Sequence, residues 1–346
     1  FREPEISVVV VNWNRRDLLR ECLHSLASQQ DAEFEVVLVD NGSDDGSVEM
    51  AQQEFGQHPA FPLRVVINSR NLGFCAANNQ GIALARGAFV ALLNNDAEAR
   101  PGWLAALRSA FDGRPEVGMA ASKILVKDDP ARLDKAGHLI YPDGQNRGRG
   151  SGELDEGQYD RMEEVLWPDG CAAMYRKAML EQIGGFDEDF FAYGDDAELG
   201  LRARLAGWRC LYVPSAVVLH HRAATLGRAS LRRLELIERN RVLLAVKLFP
   251  LSLLLLNPFY YAARLGAGLW AAARRKGELA QYPGWTSKLA VAVALLKGDL
   301  SALALLPRML HKRRQVRKLV RLSPAEARRL ILTHRIRLRQ LMELAP

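Results

Sequence analysis

Three apolar runs that end in polar residues constrain the fold of this chain more than any other feature. The runs and their polar ends are 6–11 before Asn12, Trp13 and Asn14, 34–39 before Asp40 and Asn41, and 88–93 before Asn94, Asn95 and Asp96. Each run has the length of a buried strand, and stretches with helical spacing separate them. An isolated Asp after a strand is more often a turn former or a helix cap. The same pattern of an apolar run with a polar end occurs three times here, which favours a shared binding edge. The sequence predicts an α/β fold with a mostly parallel central sheet flanked by helices, and ligands bind at the carboxyl ends of such strands.

Further elements follow from the same spacing rules. Strand patterns lie at 63–67, 117–124, 210–213 and 216–219, and helical patterns lie at 17–26, 48–55, 76–85, 101–111, 196–206 and 231–249. Residues 127–163 are rich in Gly, Asp and Arg and lack clear periodicity, which predicts a long irregular excursion that helps to shape a ligand site. Ser323, Pro324 and Glu326 predict the start of the last helix, because they form a capping box.

Composition indicates a folded protein with two chemically different regions. The 346 residues are 49% hydrophobic and 25% charged, which suits a large domain and a second region. The net charge of +7 is uneven: residues 223–346 contain 24 Lys and Arg but 6 Asp and Glu, whereas residues 1–222 contain 23 and 34. We therefore expect a first domain at 1–225 and a basic, helical second region at 226–346. The acidic and basic parts favour different partners.

The four cysteines are scattered and include no C-x-x-C pair. This predicts neither a zinc site nor a disulfide framework, and it suits a reduced, cytoplasmic setting.

The basic region also contains apolar stretches at 248–263 and 289–306. Asn257 and Pro258 cut the first, and Lys297 and Asp299 interrupt the second, so neither predicts a simple transmembrane helix. Apolar stretches beside Lys and Arg clusters favour a surface that lies on an anionic membrane. An ordinary helical subdomain with a solvated basic face, or an oligomer interface, is the alternative. Nucleic-acid binding is not expected, because the apolar content is high and no recognition motif is present.

Two of the polar segments suit nucleotide recognition. Asp40 can accept a hydrogen bond from N3–H of uracil or thymine, or it can cap the helix that follows. Arg70 and Asn71, beside the chain reversal at Gly73, suit ribose or pyrophosphate, or they form only a turn.

Other polar residues suit metal binding and proton transfer. Asp96 is the expected metal ligand, assisted by Asn94, because Mg²⁺ and Mn²⁺ are held by few protein oxygens together with substrate phosphates. His220 follows a strand and is a second candidate ligand. Asp195 and Asp196 start a helix, so they are either a cap or a base of raised pKa.

The order of the motifs resembles that of family 2 glycosyltransferases, most closely the rhamnosyltransferase-like branch. The segments are Ser-Val-Val-Val-Val-Asn-Trp-Asn at 7–14, Val-Asp-Asn-Gly-Ser at 39–43, Asn-Leu-Gly-Phe at 71–74 with Asn-Asn-Gln-Gly at 78–81, Leu-Asn-Asn-Asp at 93–96, Gly-Gly-Phe-Asp at 184–187, and Asp-Asp at 195–196 leading to Gly-Trp at 207–208. The resemblance covers about residues 5–225. It implies a GT-A fold and transfer with inversion of the anomeric centre.

The resemblance also implies roles for individual residues. The predicted donor-binding residues are Asn12, Asn14, Asp40, Asn41, Arg70, Asn71, Asn94 and Asn95. Asp96 and His220 would hold Mn²⁺ or Mg²⁺, and Asp196 would be the base, with Asp195 as its rival. The metal motif supplies one carboxylate, where the family often has Asp-x-Asp.

We therefore expect an enzyme that moves one sugar, rhamnose or similar, from a dTDP- or UDP-linked donor to a lipid-linked or polysaccharide acceptor in cell-envelope synthesis. No Gln-x-x-Arg-Trp segment of processive synthases is present, which favours one sugar per encounter. The expected location is cytoplasmic, peripheral on the inner face of the cell membrane. The alternatives are a nucleotidyltransferase, whose phosphate-binding basic loop is missing at 12–16, and an inactive GT-A scaffold or binding module at the membrane.

Overall fold

A ten-stranded mixed sheet forms the centre of the protein. The computed structural model describes residues 3–222, 230–274, 282 and 284–342. The strands are β1 (Ile6–Asn12), β2 (Phe34–Asp40), β3 (Leu63–Ile67), β4 (Phe89–Leu93), β5 (Ala97–Ala99), β6 (Val117–Val126), β7 (Asp129–Lys135), β8 (His138–Ile140), β9 (Asn146–Gly148), β10 (Glu163–Glu164), β11 (Ala172–Arg176) and β12 (Arg209–His220). Strands β8 and β9 pair separately as a two-stranded sheet.

The strand order explains where the polar ends meet. Strands β3, β2, β1 and β4 are parallel neighbours, and Asn12 at the end of β1 pairs in register with Asp40 at the end of β2. Strand β11 is antiparallel to both β4 and β6, and β6 runs parallel to β12. The α/β fold expected from the sequence is confirmed. The sheet is mixed, because its parallel half is joined through β11 to strands of both directions.

Helices cover both faces of the sheet. They are α1 (Arg16–Ala27), α2 (Ser47–Phe55), α3 (Phe74–Leu84), α4 (Trp103–Ser109), α5 (Lys177–Ile183), α6 (Asp195–Leu205), α7 (Leu231–Leu248), α8 (Leu251–Ala273), α9 (Gly284–Arg317), α10 (Pro324–Thr333) and α11 (Leu338–Met342). Alternate residues of β1 face opposite cores, with Val8 and Val10 packed beside α1, α2 and α4, and Val9 on the side of α5 and α6. Helix α3 lies close to β1, because a Cβ on Gly81 would lie 2.3 Å from Val9 Cγ1.

The structure corrects several local expectations. Residues 127–163 are only partly irregular, since they contain β7, β8 and β9. The two short strands expected at 210–219 are one strand, β12, with an irregular register between Val213 and Val217. Helix α8 continues through Pro258. The capping box at Ser323 and Glu326 is present as predicted.

The C-terminal helices share a core with the sheet. Leu243, Leu244 and Phe249 join one apolar cluster with the buried residues of α6 and β11. The boundary predicted between residues 225 and 226 lies outside the described residues, so the division into two domains stays a prediction.

Several charges of the acidic and basic parts of the chain pair with each other. Lys247 and Lys312 both contact Asp187, and Arg241 and Arg264 lie near Asp143. Part of the charge asymmetry is therefore neutralised inside the fold.

Helix α9 differs from the expectation that neither apolar stretch forms a membrane-length helix. It runs through Lys297 and Asp299, and within the described residues it is the one helix long and apolar enough to cross a membrane. Only 22% of the most apolar 18-residue stretch of α9 is buried, so α9 does not resemble the core helix of a soluble protein.

Candidate active site

The polar ends of β1 and β2 form a buried hydrogen-bond cluster. Asn12 Nδ2 donates to Asp40 Oδ1 at 2.9 Å, and Asn95 Nδ2 donates to Asn12 Oδ1 at 2.7 Å. Ser43 donates to both Asp40 oxygens, from its hydroxyl at 2.6 Å and its backbone N–H at 2.8 Å. Asp40 is only 1% exposed, and neither it nor Asn12 lines the neighbouring cavity. The prediction that these strand ends lie together is confirmed, and in this structure both side chains hold the loop in place.

The other predicted donor-binding residues divide into two groups. Asn41, Asn71, Asn94 and Asn95 line the cavity, and Asn41 Nδ2 lies 3.3 Å from Asn71 Oδ1. Asn71 Oδ1 also accepts from the backbone N–H of Gly73 at 2.8 Å, which fixes this turn. Asn14 and Arg70 lie outside the cavity lining, and Arg70 is exposed.

Asp96 and His220 meet at one edge of the cavity. Asp96 follows β4, His220 ends β12, and His220 Nε2 lies 3.4 Å from Asp96 Oδ1. The other ring nitrogen, Nδ1, lies 2.7 Å from Asp134 Oδ2, and Arg222 contacts the same carboxylate at 2.7 Å. A carboxylate on Nδ1 fixes the ring orientation and directs Nε2 towards Asp96.

Electrostatics keep this cluster charged. Burial would raise the pKa of Asp96, but the hydrogen bond and charge of His220 outweigh burial and lower it. Burial would likewise raise the pKa of Asp134, but the charges of Lys135, His220 and Arg222 lower it to about 2. Both carboxylates are thus ionised near neutral pH.

The donor set fits a divalent cation. One ionised carboxylate oxygen and one imidazole nitrogen, which gives up its proton when a metal binds, suit Mn²⁺ or Mg²⁺ when substrate phosphates supply further ligands. A second group, His138, Asp169 and Asp196, also brings ligand atoms within 4.8 Å of one another. There the Lys135 ammonium lies 2.5 Å from Asp169 Oδ2, so a fixed cation already balances that carboxylate.

Asp195 and Asp196 begin α6 and line the same cavity. Asp196 Oδ1 accepts the backbone N–H of Ala197 at 2.7 Å, and Asp196 Oδ2 lies 3.4 Å from His138 Nε2. The Gly170 N–H also points to Asp196 Oδ2 at 3.4 Å.

The segment around Gly170 connects the two acidic centres. The carbonyl oxygen of Cys171, its neighbour, accepts the Asn94 N–H at 2.8 Å, directly before the Asp96 turn. One backbone segment therefore holds Asp196 and the Asp96 loop in a fixed relation.

The two carboxyl groups of α6 differ in acidity. Burial and the charge of Asp196 raise the pKa of Asp195 to about 8. Burial also raises the pKa of Asp196, but His138 and Lys135 oppose that rise. Asp196 therefore ionises first and carries the negative charge when Asp195 is still protonated.

Among the polar residues of this cavity that sequence reasoning missed, four lie beside the two acidic centres, namely Asp134, Lys135, His138 and Asp169. Three of them come from the region expected to be irregular: pairing of β7 with β6 brings Asp134 and Lys135 to the site, and His138 follows at the start of β8. Asp169 had a usable signal, because it lies in the turn sequence Trp-Pro-Asp-Gly directly before a strand.

Helix α7 holds the loop that precedes Asp195. Asn240 Nδ2 lies 2.9 Å from the carbonyl oxygens of Phe190 and Ala192 and 2.6 Å from that of Tyr193. Phe191 and Tyr193 have φ angles of 62° and 68°, which side-chain-bearing residues rarely adopt. The contacts from α7 stabilise this strained loop.

Comparison with known proteins assigns the family. The sequence model described as glycosyl transferase family 2 matches residues 7–184, which is more than half of the chain. The chain belongs to glycosyl transferase family 2. The resemblance read from the sequence is thereby confirmed, and with it the activity of an inverting glycosyltransferase.

Curated relatives of this glycosyltransferase include enzymes of glycan assembly. The N-acetylglucosaminyl-diphospho-decaprenol L-rhamnosyltransferase of Mycobacterium tuberculosis is 30% identical over 244 residues, 64% of this chain and 78% of the relative. The glycosyltransferase AglE of Haloferax volcanii is 26% identical, over 63% of this chain and 67% of the relative.

Solved structures confirm the GT-A fold. The mannosyltransferase PcManGT of Pyrobaculum calidifontis, in complex with GDP-Man and Mn²⁺, aligns with a TM-score of 0.55 at 20% identity, over 92% of this chain and 86% of that one. TarS residues 1–349 of S. aureus, in complex with UDP-GlcNAc, aligns with a TM-score of 0.53 at 18% identity, over 95% and 91%.

Proposed function

We propose that this glycosyltransferase moves one sugar, rhamnose or a similar hexose, from a dTDP- or UDP-linked donor to a hydroxyl of a lipid-linked or polysaccharide acceptor in cell-envelope synthesis. The observation that carries the proposal is that Asp196 and the Asp96–His220 pair line one cavity at the ends of the strands. The rhamnosyltransferase of M. tuberculosis, whose name specifies a diphospho-decaprenol acceptor, supports this choice of sugar and acceptor.

Asp196 acts as the base. Its ionised carboxylate takes the proton from the acceptor hydroxyl, whose oxygen forms a bond to C1 of the sugar while the bond from C1 to the diphosphate oxygen breaks. His138, 3.4 Å from Asp196, and the Gly170 N–H hold the carboxylate in position. Asp195 serves as its protonated neighbour and does not compete for the proton at neutral pH.

Asp96 and His220 would hold Mn²⁺ or Mg²⁺. A bound divalent ion offsets the negative charge that grows on the departing diphosphate. Asp134 keeps the His220 ring oriented, and Asn41 and Asn71 offer amide groups to the nucleoside side of the donor.

The enzyme acts at the cytoplasmic face of the membrane, bound peripherally through its C-terminal helices. Large apolar side chains are exposed along α8 and α9, including Phe259 at 73% and Trp285 at 80%. Exposed apolar stripes beside basic residues favour binding to an anionic bilayer surface. Liposome flotation with anionic and neutral vesicles tests this part.

Donor binding tests the proposal as a whole. Calorimetry with UDP-, dTDP- and GDP-linked sugars, with and without Mn²⁺, should show metal-dependent binding of a dTDP- or UDP-sugar. Asp96→Asn should lose the metal dependence. Failure of the folded enzyme to bind any of these donors would contradict the proposal and favour an inactive scaffold.

A further inference from the structure

The catalytic cavity extends well beyond the catalytic residues. Its volume is about 1400 Å³, larger than the roughly 300–1000 Å³ of a typical small-molecule site. Past Asp96 and Asp196 it continues between α7, α8 and α9. A donor and a single acceptor sugar do not account for that extension.

The far end of the cavity is an apolar groove between α8 and α9. Its lining residues are Leu265, Gly268, Leu269 and Ala272 on α8 and Trp285, Leu289, Ala292 and Leu296 on α9. Their spacing places them on one face of each helix. Leu269, Leu289 and Leu296 are 68%, 54% and 58% exposed, so the groove presents hydrocarbon to whatever fills it.

Cationic side chains lie along the same cavity. Arg233 on α7 lies 5.7 Å from the ring centre of Tyr193, in the loop that leads to Asp195. Lys288 lines the cavity between Trp285 and Leu289 on α9, and Arg232 lines it beside Arg233. The cavity thus offers acids at its catalytic end, apolar side chains at its far end, and cations beside both. Two further lining acids, Glu238 and Asp299, are already paired with Arg241.

We propose that the groove binds the hydrocarbon chain of a lipid acceptor whose sugar is attached through a phosphate or diphosphate group. The chain lies between α8 and α9, Arg232, Arg233 and Lys288 bind the anionic linker, and the sugar hydroxyl reaches Asp196. This inference rests on the proposed function and selects a glycolipid over a polysaccharide. Two observations support the occupant: the cations complement an anionic linker, and the groove is continuous with the catalytic cavity. Exposed leucines offer nothing to the hydroxyl groups of a polysaccharide.

Binding of farnesyl diphosphate to the full chain tests the groove without turnover. Saturating dTDP in the presence of Mn²⁺ occupies the donor site. Calorimetry then measures the binding of farnesyl diphosphate, inorganic diphosphate and farnesol in separate titrations. We expect farnesyl diphosphate to bind at least about tenfold more tightly than either fragment, since the groove holds a chain and the cations hold an anion. Equal affinity for farnesol would overturn the role of the cations, and equal affinity for inorganic diphosphate would overturn the role of the groove.

Matched variants on α9 separate the groove from general surface hydrophobicity. Leu289→Gln with Leu296→Gln changes two groove residues, and Leu300→Gln with Leu303→Gln changes two residues outside the cavity lining that are 56% and 58% exposed. All four side chains are more than half exposed, so neither pair should unfold the protein. The groove pair should weaken binding by about tenfold or more, and the control pair should leave it unchanged.

A second matched pair tests the cations. Lys288→Gln should weaken the binding of farnesyl diphosphate but not that of farnesol. Lys297→Gln, on the same helix outside the cavity lining, should change neither affinity. Equal losses in both members of either pair would overturn the proposal and indicate adsorption to the helix surface or pairing with a second copy of the chain. If farnesyl diphosphate does not bind while donor binding persists, the groove proposal fails alone. If it binds while no donor does, the proposed function fails and the groove remains a lipid site.

Discussion

Substituting Asn240 with Ala should slow catalysis without weakening donor binding. Asn240 is 1% exposed and lies on α7, against the catalytic loop, which is the segment 190–194 before Asp195. Its amide has two hydrogens and three carbonyl oxygens within reach, so one hydrogen is shared. Phe190 O would keep a partner in Arg239, at 2.9 Å, but Ala192 O and Tyr193 O would lose theirs.

The expected cost follows from these contacts. Two lost hydrogen bonds that leave part-buried carbonyls without a partner amount to about 2–3 kcal/mol. The strained residues Phe191 and Tyr193 each store about 1 kcal/mol or more, which favours a rearranged loop once the clamp is gone. If the displaced loop must be restored for Asp196 to act, the turnover rate falls by about 30- to 160-fold.

The assay compares the turnover rate with the dissociation constant of the donor. Asn257→Ala is the matched control. It removes one hydrogen bond of a side-chain amide, to the Asp143 carbonyl at 3.0 Å, elsewhere in the helical region. The control should keep turnover within about threefold of wild type, because the one hydrogen bond that it loses lies away from the loop. Wild-type turnover of folded Asn240→Ala, or a loss of donor affinity that matches the loss of turnover, would refute the reasoning.

Three further predictions follow from the contacts of the site. Asp195→Asn should keep most of the activity at neutral pH. It should also reduce the loss of folding stability between about pH 4 and pH 8, measured by denaturation at several pH values. The reason is that the pKa of Asp195 rises on folding from 3.8 to about 8, so its ionisation destabilises the folded state as the pH rises through that window. An unchanged dependence of stability on pH would contradict the raised pKa. Asp134→Asn should weaken Mn²⁺ affinity by about 10- to 100-fold in a metal titration with donor present, since it removes the partner of His220, and unaltered affinity would count against His220 as a ligand. Gly73→Ala should lower turnover, because its Cβ would lie 2.5 Å from the Phe191 ring and φ at this position is 89°; wild-type kinetics would show that the loop position does not matter.

The part of the fold that local patterns determine could be predicted from the sequence. Buried parallel strands appear in the sequence as continuous apolar runs, and the polar residues that follow them mark the edge of the sheet where ligands bind. Asn12, Asp40 and Asn95 follow such runs, which is why their meeting was predictable.

The remainder depends on contacts that no local pattern reveals. Asp134 reaches His220 across 86 residues of chain, on a strand whose first four residues are exposed and carry no apolar periodicity. Asn240 occupies an ordinary helical position, and only the packing of α7 on the catalytic loop shows its role. Pro258 was expected to interrupt the apolar stretch at 248–263, but α8 continues across it, and the adjacent Asn257 donates a hydrogen bond to the Asp143 carbonyl.

Single-turnover transfer by wild type and Asp196→Asn tests the central claim most directly. The donor is bound first, its dissociation constant is measured on the same sample, and the rate of sugar transfer to the acceptor is then followed. The account predicts a donor affinity within about twofold of wild type and a loss of transfer of about 1000-fold or more, as for removal of a general base. Transfer by Asp196→Asn at the wild-type rate would contradict the assignment of Asp196 as the base.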